Sequence, residues 1–238
     1  METTEGTLLG GRVRYRQPFQ GYRTGIEPVL LAASIPARPG QRVLEAGTGA
    51  GAGLLCLAAR LPGLVGLGIE RDPAMAALAR HNLADNGQPF GILDADVSAA
   101  RGAGPVDHAF ANPPWHDAAA TRSPDSMRDA ATHREAAGLS AWIEALGACL
   151  APRGTITLVL PASLAGEATA LLHAAGLKRL TLFPLWPRAG ACAKIVLVQA
   201  LAGPGPSRIA AGLVLHGGGP GYTAATEAVL RDGAGLSL

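Results

Sequence analysis

Gln41-Arg-Val-Leu-Glu45-Ala-Gly-Thr-Gly-Ala-Gly51 decides how the chain folds. Residues 41–46 read as a buried strand, 47–53 as a glycine-rich turn and 54–61 as a helix stopped by Pro62-Gly63. Glycines let the backbone turn tightly and come close to a ligand. Working outward, 64–69 reads as a second strand. Asp72 and Pro73 then form an N-cap and a helix-starting proline, with a stop at Asn86-Gly87. Residues 90–93 and 106–111 are a third and a fourth strand. Strands alternating with helices build right-handed βαβ units and a largely parallel sheet. Such sheets bind ligands at the carboxyl ends of their strands.

The flanks extend this plan. Residues 26–35 are a short apolar helix with Thr24 as its cap. Residues 139–150 form a helix and 155–160 a fifth strand, followed by a helix capped by Ser163 that ends at Gly176. Strands at 177–183 and 192–200 suit an antiparallel hairpin, and 208–216 and 223–230 read as a further strand and a terminal helix. Residues 1–25 are a small extension of what reads as a single domain over 1–238.

Composition narrows the class. Of 238 residues, 48% are hydrophobic, which excludes global disorder. The absence of an apolar run of about 18 residues excludes a membrane span, and the first residues lack the pattern of a secretory signal. Three dispersed cysteines (Cys56, Cys149, Cys192) give no disulfide framework and point to a reducing cytoplasm. The six histidines show no metal spacing, so no metal is expected. Net charge is +2, too small to mark a nucleic-acid binder by itself.

Two adenine-ribose ligands compete for the glycine turn. Gly47, Gly49 and Ala52 match a dinucleotide pattern, and Glu70 lies 21 residues after Gly49, where a carboxylate holds ribose hydroxyls. A pyrophosphate cofactor suits a helix N-terminus. Glu45 would repel it, however, and would suit the cationic methionine end of S-adenosylmethionine. Asp96 is placed to accept from the adenine amine, whereas Asp94 reads as a solvated turn acid.

Asn112-Pro-Pro-Trp115 settles the choice. Two prolines stop the strand before them and stiffen a non-helical turn. The oxygens of Asn112 and Pro113 can accept from an amino group, while Trp115 offers a plane to stack on. An amine clamp serves a methyl transfer and has no use in hydride transfer. Arg12, Arg14 and Arg16 alternate along an extended segment that, with Arg23, has no acid between Glu5 and Glu27. A solvated face and a phosphate-contacting stripe fit this pattern equally. Cys56 and Trp142 read as core and Trp186 as hairpin packing.

Taken together, Glu45 to Gly51, Glu70, Asp96 and Asn112 to Trp115 resemble the motifs of class I S-adenosylmethionine-dependent methyltransferases. More narrowly, Gln20-Gly-Tyr-Arg-Thr-Gly-Ile-Glu27 is similar to the bacterial valine-tRNA adenine N6-methyltransferase family. The stretches 128–135, 184–194, Leu215-His216 and Gly221-Tyr-Thr223 also look like that family. The resemblance implies an α/β, Rossmann-like fold: a mostly parallel seven-stranded sheet with a C-terminal antiparallel hairpin. It implies S-adenosylmethionine held by Tyr22, Thr24, Gly25, Glu45, Gly47, Gly49, Gly51, Glu70, Asp96 and Asn112. The catalytic set it implies is Asn112, Pro113 and Trp115. The expected substrate is adenine N6 in tRNA, with Arg12, Arg14, Arg16 and Arg23 on phosphates, and Arg128, His133 and Arg134 in the loop after the turn. The alternatives are glutamine N5 of a protein and guanine N2 of RNA. Two positions depart from the family: Trp115 stands where Tyr or Phe is usual, and Ile195 follows Lys194 where a second basic residue is expected.

Overall fold

The computed structural model describes residues 1–21, 23–114, 138–203 and 205–238. The chain opens with a hairpin, β1 (Thr3–Leu8) and β2 (Val13–Pro18), that forms its own two-stranded antiparallel sheet. Next come α1 (Glu27–Ser34), β3 (Arg42–Ala46), α2 (Ala52–Arg60), β4 (Val65–Glu70), α3 (Pro73–Asp85) and β5 (Gly91–Asp94). A short α4 (Ala100–Ala103) leads into β6 (Val106–Ala111). Beyond residue 137 follow α5 (Leu139–Ala148), β7 (Leu150–Pro161), α6 (Ala165–Ala174), β8 (Leu177–Trp186) and β9 (Ile195–Ala202). The two-residue strands β10 (Arg208–Ile209) and β11 (Leu213–Val214) precede a terminal α7 (Ala224–Asp232).

Among the described residues the main sheet has nine strands in the order β10-β8-β9-β7-β6-β3-β4-β5, with β11 also on β8. Of these, β9 alone runs against its neighbours, pairing antiparallel with both β7 and β8. The hairpin expected at the C-terminal side is therefore present. The sheet exceeds the expected seven strands because the segment 208–216 also joins it, on β8, and does so as two pieces. Gly212 breaks it with φ +81°, and a Cβ there would lie 2.2 Å from the Pro184 carbonyl oxygen. That is a backbone state and an approach open only to glycine.

Each face of the sheet carries its own core. Leu30, Leu31, Leu54, Leu57 and Phe110 pack on one side, toward α1 and α2; Leu44, Ile143, Leu146, Leu158 and Leu172 pack on the other, toward α5 and α6. The strands between are buried on both faces, hence their continuous apolar runs. Trp142, Cys56 and Cys149 are buried in these cores. Asp72 caps α3 as expected, accepting from the amides of Ala74 (2.8 Å) and Met75 (3.4 Å), with Pro73 in the first turn.

Two caps differ from expectation. No side chain caps α1, whose N-cap is Ile26; the Thr24 hydroxyl instead lies 2.7 Å from that of Tyr15. Ser163 sits inside a 3-10 turn, Ala162–Leu164, that precedes α6, so it cannot cap that helix.

The hairpin docks through asparagines. β2 has β1 on one edge, and on the other Asn82 of α3 and Asn86, the C-cap residue of that helix, stand in for a strand. The Arg16 amide donates to Asn82 Oδ1 (3.0 Å) and the Arg16 carbonyl accepts from Asn82 Nδ2 (2.8 Å). Arg14 repeats the exchange with Asn86, at 2.9 and 2.7 Å. Four residues apart on a helix, the two amides share one face and match every second residue of a strand. Asn82 Nδ2 also donates to the Ala50 carbonyl at 2.9 Å, so one buried side chain joins the hairpin to the glycine turn.

Candidate active site

Strand register places the site residues in one row. Asp94 of β5 is level with Glu70 of β4, Ile69 of β4 with Ala46 of β3, and Ala46 with Ala111 of β6. Gly47 and Asn112, which follow Ala46 and Ala111, are thus neighbours, with Glu70 on the far side of Gly47. Adjacent strands lie roughly 4.8 Å apart, so the row spans roughly 14 Å of the carboxyl edge.

The glycine turn needs its glycines. Gly47, Gly49 and Gly51 have φ of 66°, 55° and 90°. A Cβ on Gly47 would also meet the Trp142 ring at 2.7 Å. The Gly47 and Thr48 amides donate to the Ile69 carbonyl at 2.8 and 3.1 Å, which folds the turn over the end of β4. Glu70 fixes it from the side, its two carboxylate oxygens accepting from the amides of Gly49 and Asp72, each at 2.8 Å. Each of those oxygens keeps a second lone pair for another donor. Asp96 is exposed and accepts from the Ser98 amide at 3.0 Å. That backbone bond holds its carboxyl below the usual range and keeps it an ionised acceptor. Asp94 is paired with Arg80.

Asn112 ends the row. It is half-buried, braced by buried Pro113, and its amide makes no hydrogen bond among the described residues. Tyr22, Trp115, Arg128, His133 and Arg134 lie outside the described residues.

Glu45 is placed otherwise than its charge suggested. Its carboxyl lies in the interior under α2, accepting from the Thr48 hydroxyl (2.6 Å) and the Leu54 amide (3.0 Å). There it caps a helix whose own N-cap, Gly51, has no side chain to offer. Burial pushes its pKa up to about 8, against the pull of those two bonds. A carboxyl held mostly neutral does not repel a phosphate, so the argument from its charge fails. The helix-capping position, rather than the charge, accounts for an acid before these glycines. Thr24 bonds to Tyr15 and to Gln17, whose Oε1 accepts from its amide at 3.0 Å. The face of Gly25 is covered by the Glu27 carboxylate, 2.2 Å from where a Cβ would stand.

The arginines do not form one free stripe. Arg12 precedes β2 in a turn, so alternation does not align it with the others. Its guanidinium donates to the Leu9 carbonyl at 3.3 Å and reaches the Arg231 carbonyl at 3.4 Å. Arg14 donates to the Asp85 carbonyl at the end of α3. Arg16 pairs with Glu5 at 3.0 Å and Asp85 at 3.7 Å, and Arg23 reaches the Thr4 hydroxyl at 3.4 Å. Sequence gave no sign of Asn82 as a contributor; its partners are 32 and 66 residues away.

The donor set suits an adenosine bearing a charged methionine tail: acceptors for ribose hydroxyls at Glu70, an ionised acceptor at Asp96, and backbone without Cβ at Gly47 and Gly49. The strand order is that of the class I methyltransferases, a fold whose cofactor is S-adenosylmethionine. The chain belongs to the methyltransferase small domain family, which matches residues 26–174. A tRNA1(Val) (adenine(37)-N6)-methyltransferase of Porphyromonas gingivalis is 34% identical over 152 residues, covering 58% of each chain. The chain thus spans 58% of the length of that curated relative. Among solved structures, a protein described as a predicted O-methyltransferase from Agrobacterium tumefaciens superposes with TM-score 0.71 at 25% identity, covering 88% of this chain and 97% of that one. A 16S rRNA N2 G1207 methyltransferase from T. thermophilus, solved with AdoMet and guanosine, gives TM-score 0.59 at 22% identity over 85% of this chain and 50% of its own.

Proposed function

We propose that the chain is an S-adenosylmethionine-dependent N-methyltransferase acting on the N6 amine of adenine in RNA, with tRNA as the substrate class. The observation that carries the reading is Asn112, a half-buried amide on a proline-braced turn, beside the glycine turn and without a partner among the described residues. The names of the curated relatives support the choice of adenine and of tRNA.

Bound S-adenosylmethionine supplies a methyl group activated by a sulfonium. The chain supplies position. Glu70 holds ribose hydroxyls and Asp96 the adenine amine of the cofactor; Gly47, Gly49 and Gly51 let the backbone approach it. Glu45 acts from below by fixing α2 and Thr48. Asn112 Oδ1 and the Pro113 carbonyl accept from the substrate amine, drawing its lone pair out of the ring and toward the methyl group. With S-adenosylmethionine held by Glu70, Asp96 and the glycine turn, methyl transfer to the oriented nitrogen would leave the cofactor as its neutral thioether and release the amine proton to water. Orienting two reactants in this way is worth roughly 7–11 kcal/mol of barrier in well-aligned cases. Trp115, three residues after Asn112 in sequence, is the stacking plane for an extruded base, worth roughly 1–3 kcal/mol.

Incubating the protein and methyl-labelled S-adenosylmethionine with total tRNA and, separately, with total protein tests this. Label recovered as N6-methyladenosine from the RNA supports the reading. Label recovered as N5-methylglutamine or N2-methylguanosine replaces it.

A further inference from the structure

A second group of cations lies outside the hairpin. Between Glu167 and Glu227 the sequence has no acidic residue but contains Lys178, Arg179, Arg188, Lys194 and Arg208. Arg188 and Lys194 are exposed and lie at the carboxyl end of β8, the edge that also carries Asn112. Lys194 makes no ion pair or hydrogen bond through its ammonium among the described residues. Beside them His216 and Tyr222 stack with ring centroids 4.7 Å apart and planes 24° from parallel, and both are half-exposed. The pair is fixed from behind. The His216 amide donates to the Pro187 carbonyl at 3.0 Å, and His216 and Tyr222 form an antiparallel bridge. Arg188 Nη1 donates to the carbonyls of Gly217 and Gly219, which holds the intervening glycine loop.

Register gives the reach. Four strand spacings separate β6 from β11, and His216 stands about four to five residues beyond the level of Asn112, so the two are roughly 20–25 Å apart on a flat sheet. That exceeds one nucleotide. It matches the body of a folded RNA whose target base is extruded at Asn112.

We propose that the stacked His216 and Tyr222 rings, with Arg188 and Lys194, are a second RNA-binding surface that takes on its rings a nucleotide several positions along the RNA from the target base, and the adjoining phosphates on its cations. The inference rests on the RNA reading above. Bases stack on aromatic faces without regard to sequence, and single-sign cations track the backbone. A ring pair fixed by main-chain bonds, in a stretch of sequence without acids, supplies both.

The test uses the full chain and a synthetic stem-loop RNA that carries an unpaired adenine in its loop. Lys194→Ala and Tyr222→Ala should each weaken stem-loop binding about tenfold, while Tyr222→Phe should bind as the parent does. Lys194→Ala should also lower the slope of log K against log salt by about one. Neither should alter the Kd for S-adenosylmethionine, and an unchanged melting temperature for Lys194→Ala separates lost contact from lost fold. Cys192 is exposed while Cys56 and Cys149 are buried, so a thiol-linked photo-crosslinker goes to Cys192, two residues from Lys194. It should capture the RNA. If both variants bind the stem-loop like the parent and Cys192 captures none, the surface is refuted. If the parent binds the stem-loop and the variants bind it less, but adenine N6 is never methylated, the surface stands and the N6 reading falls. If the parent binds no RNA at any salt, both fall.

Discussion

Asn112 is the residue on which turnover depends. Asn112→Ala removes one acceptor and leaves the glycine turn, Glu70 and Asp96 in place. The expected result is a loss of about 100-fold or more in kcat with the S-adenosylmethionine Kd within a factor of about two. Equal loss of both would show that the amide serves the cofactor. Glu45 makes a prediction in pH. Its folded pKa is about 8 against 4.5 in the open chain. Between those values the unfolded chain has released the proton that the folded chain keeps, so stability falls as pH rises across that window. Melting temperatures from pH 5 to 8 should decline, and Glu45→Gln should flatten the decline; an equally steep slope in the variant would place the titration elsewhere. Gly47→Ala puts a methyl against Trp142 at a φ of 66°. It should cost about 1–3 kcal/mol in denaturant unfolding, and unchanged stability would mean that the turn relaxes freely.

At the scale of elements, the docking of the hairpin depends on α3. Asn82→Leu strands the part-buried Arg16 amide and carbonyl and the buried Ala50 carbonyl; the last costs roughly 1–3 kcal/mol when unpaired and the first two less, since water reaches them. Amide exchange should quicken in β1 and β2 well before the central strands, and cofactor affinity should drop because Ala50 belongs to the glycine turn. Protection unchanged in the hairpin would show that β1 alone keeps β2 in place. This contact was invisible in the sequence for a physical reason. The alternation of Arg14 and Arg16 is local and reports that the segment is extended. What pairs with the free edge of β2 comes from residues 66 to 72 positions away. The glycine turn, the Asp72 cap and the end of β6 before the two prolines were legible because each is set by neighbouring residues. Glu45 was legible as a position and misread as a charge, since burial and helix capping depend on packing the sequence does not show.

For the whole molecule, alternating strands and helices gave the parallel sheet, and register then brought Asp94, Glu70, Gly47 and Asn112 into line without any special pairing among them. That convergence follows from four neighbouring parallel strands ending at one edge. The far side of the sheet was less readable, because β10 and β11 are two residues each and lie either side of Gly212. Their brevity has a consequence of its own. One margin of the sheet closes with these fragments on β8, and the other with β5, four residues long. Margins that short offer a second molecule few unsatisfied main-chain groups to lengthen upon, so the sheet is poorly suited to seeding edge-to-edge polymers even when the chain is concentrated.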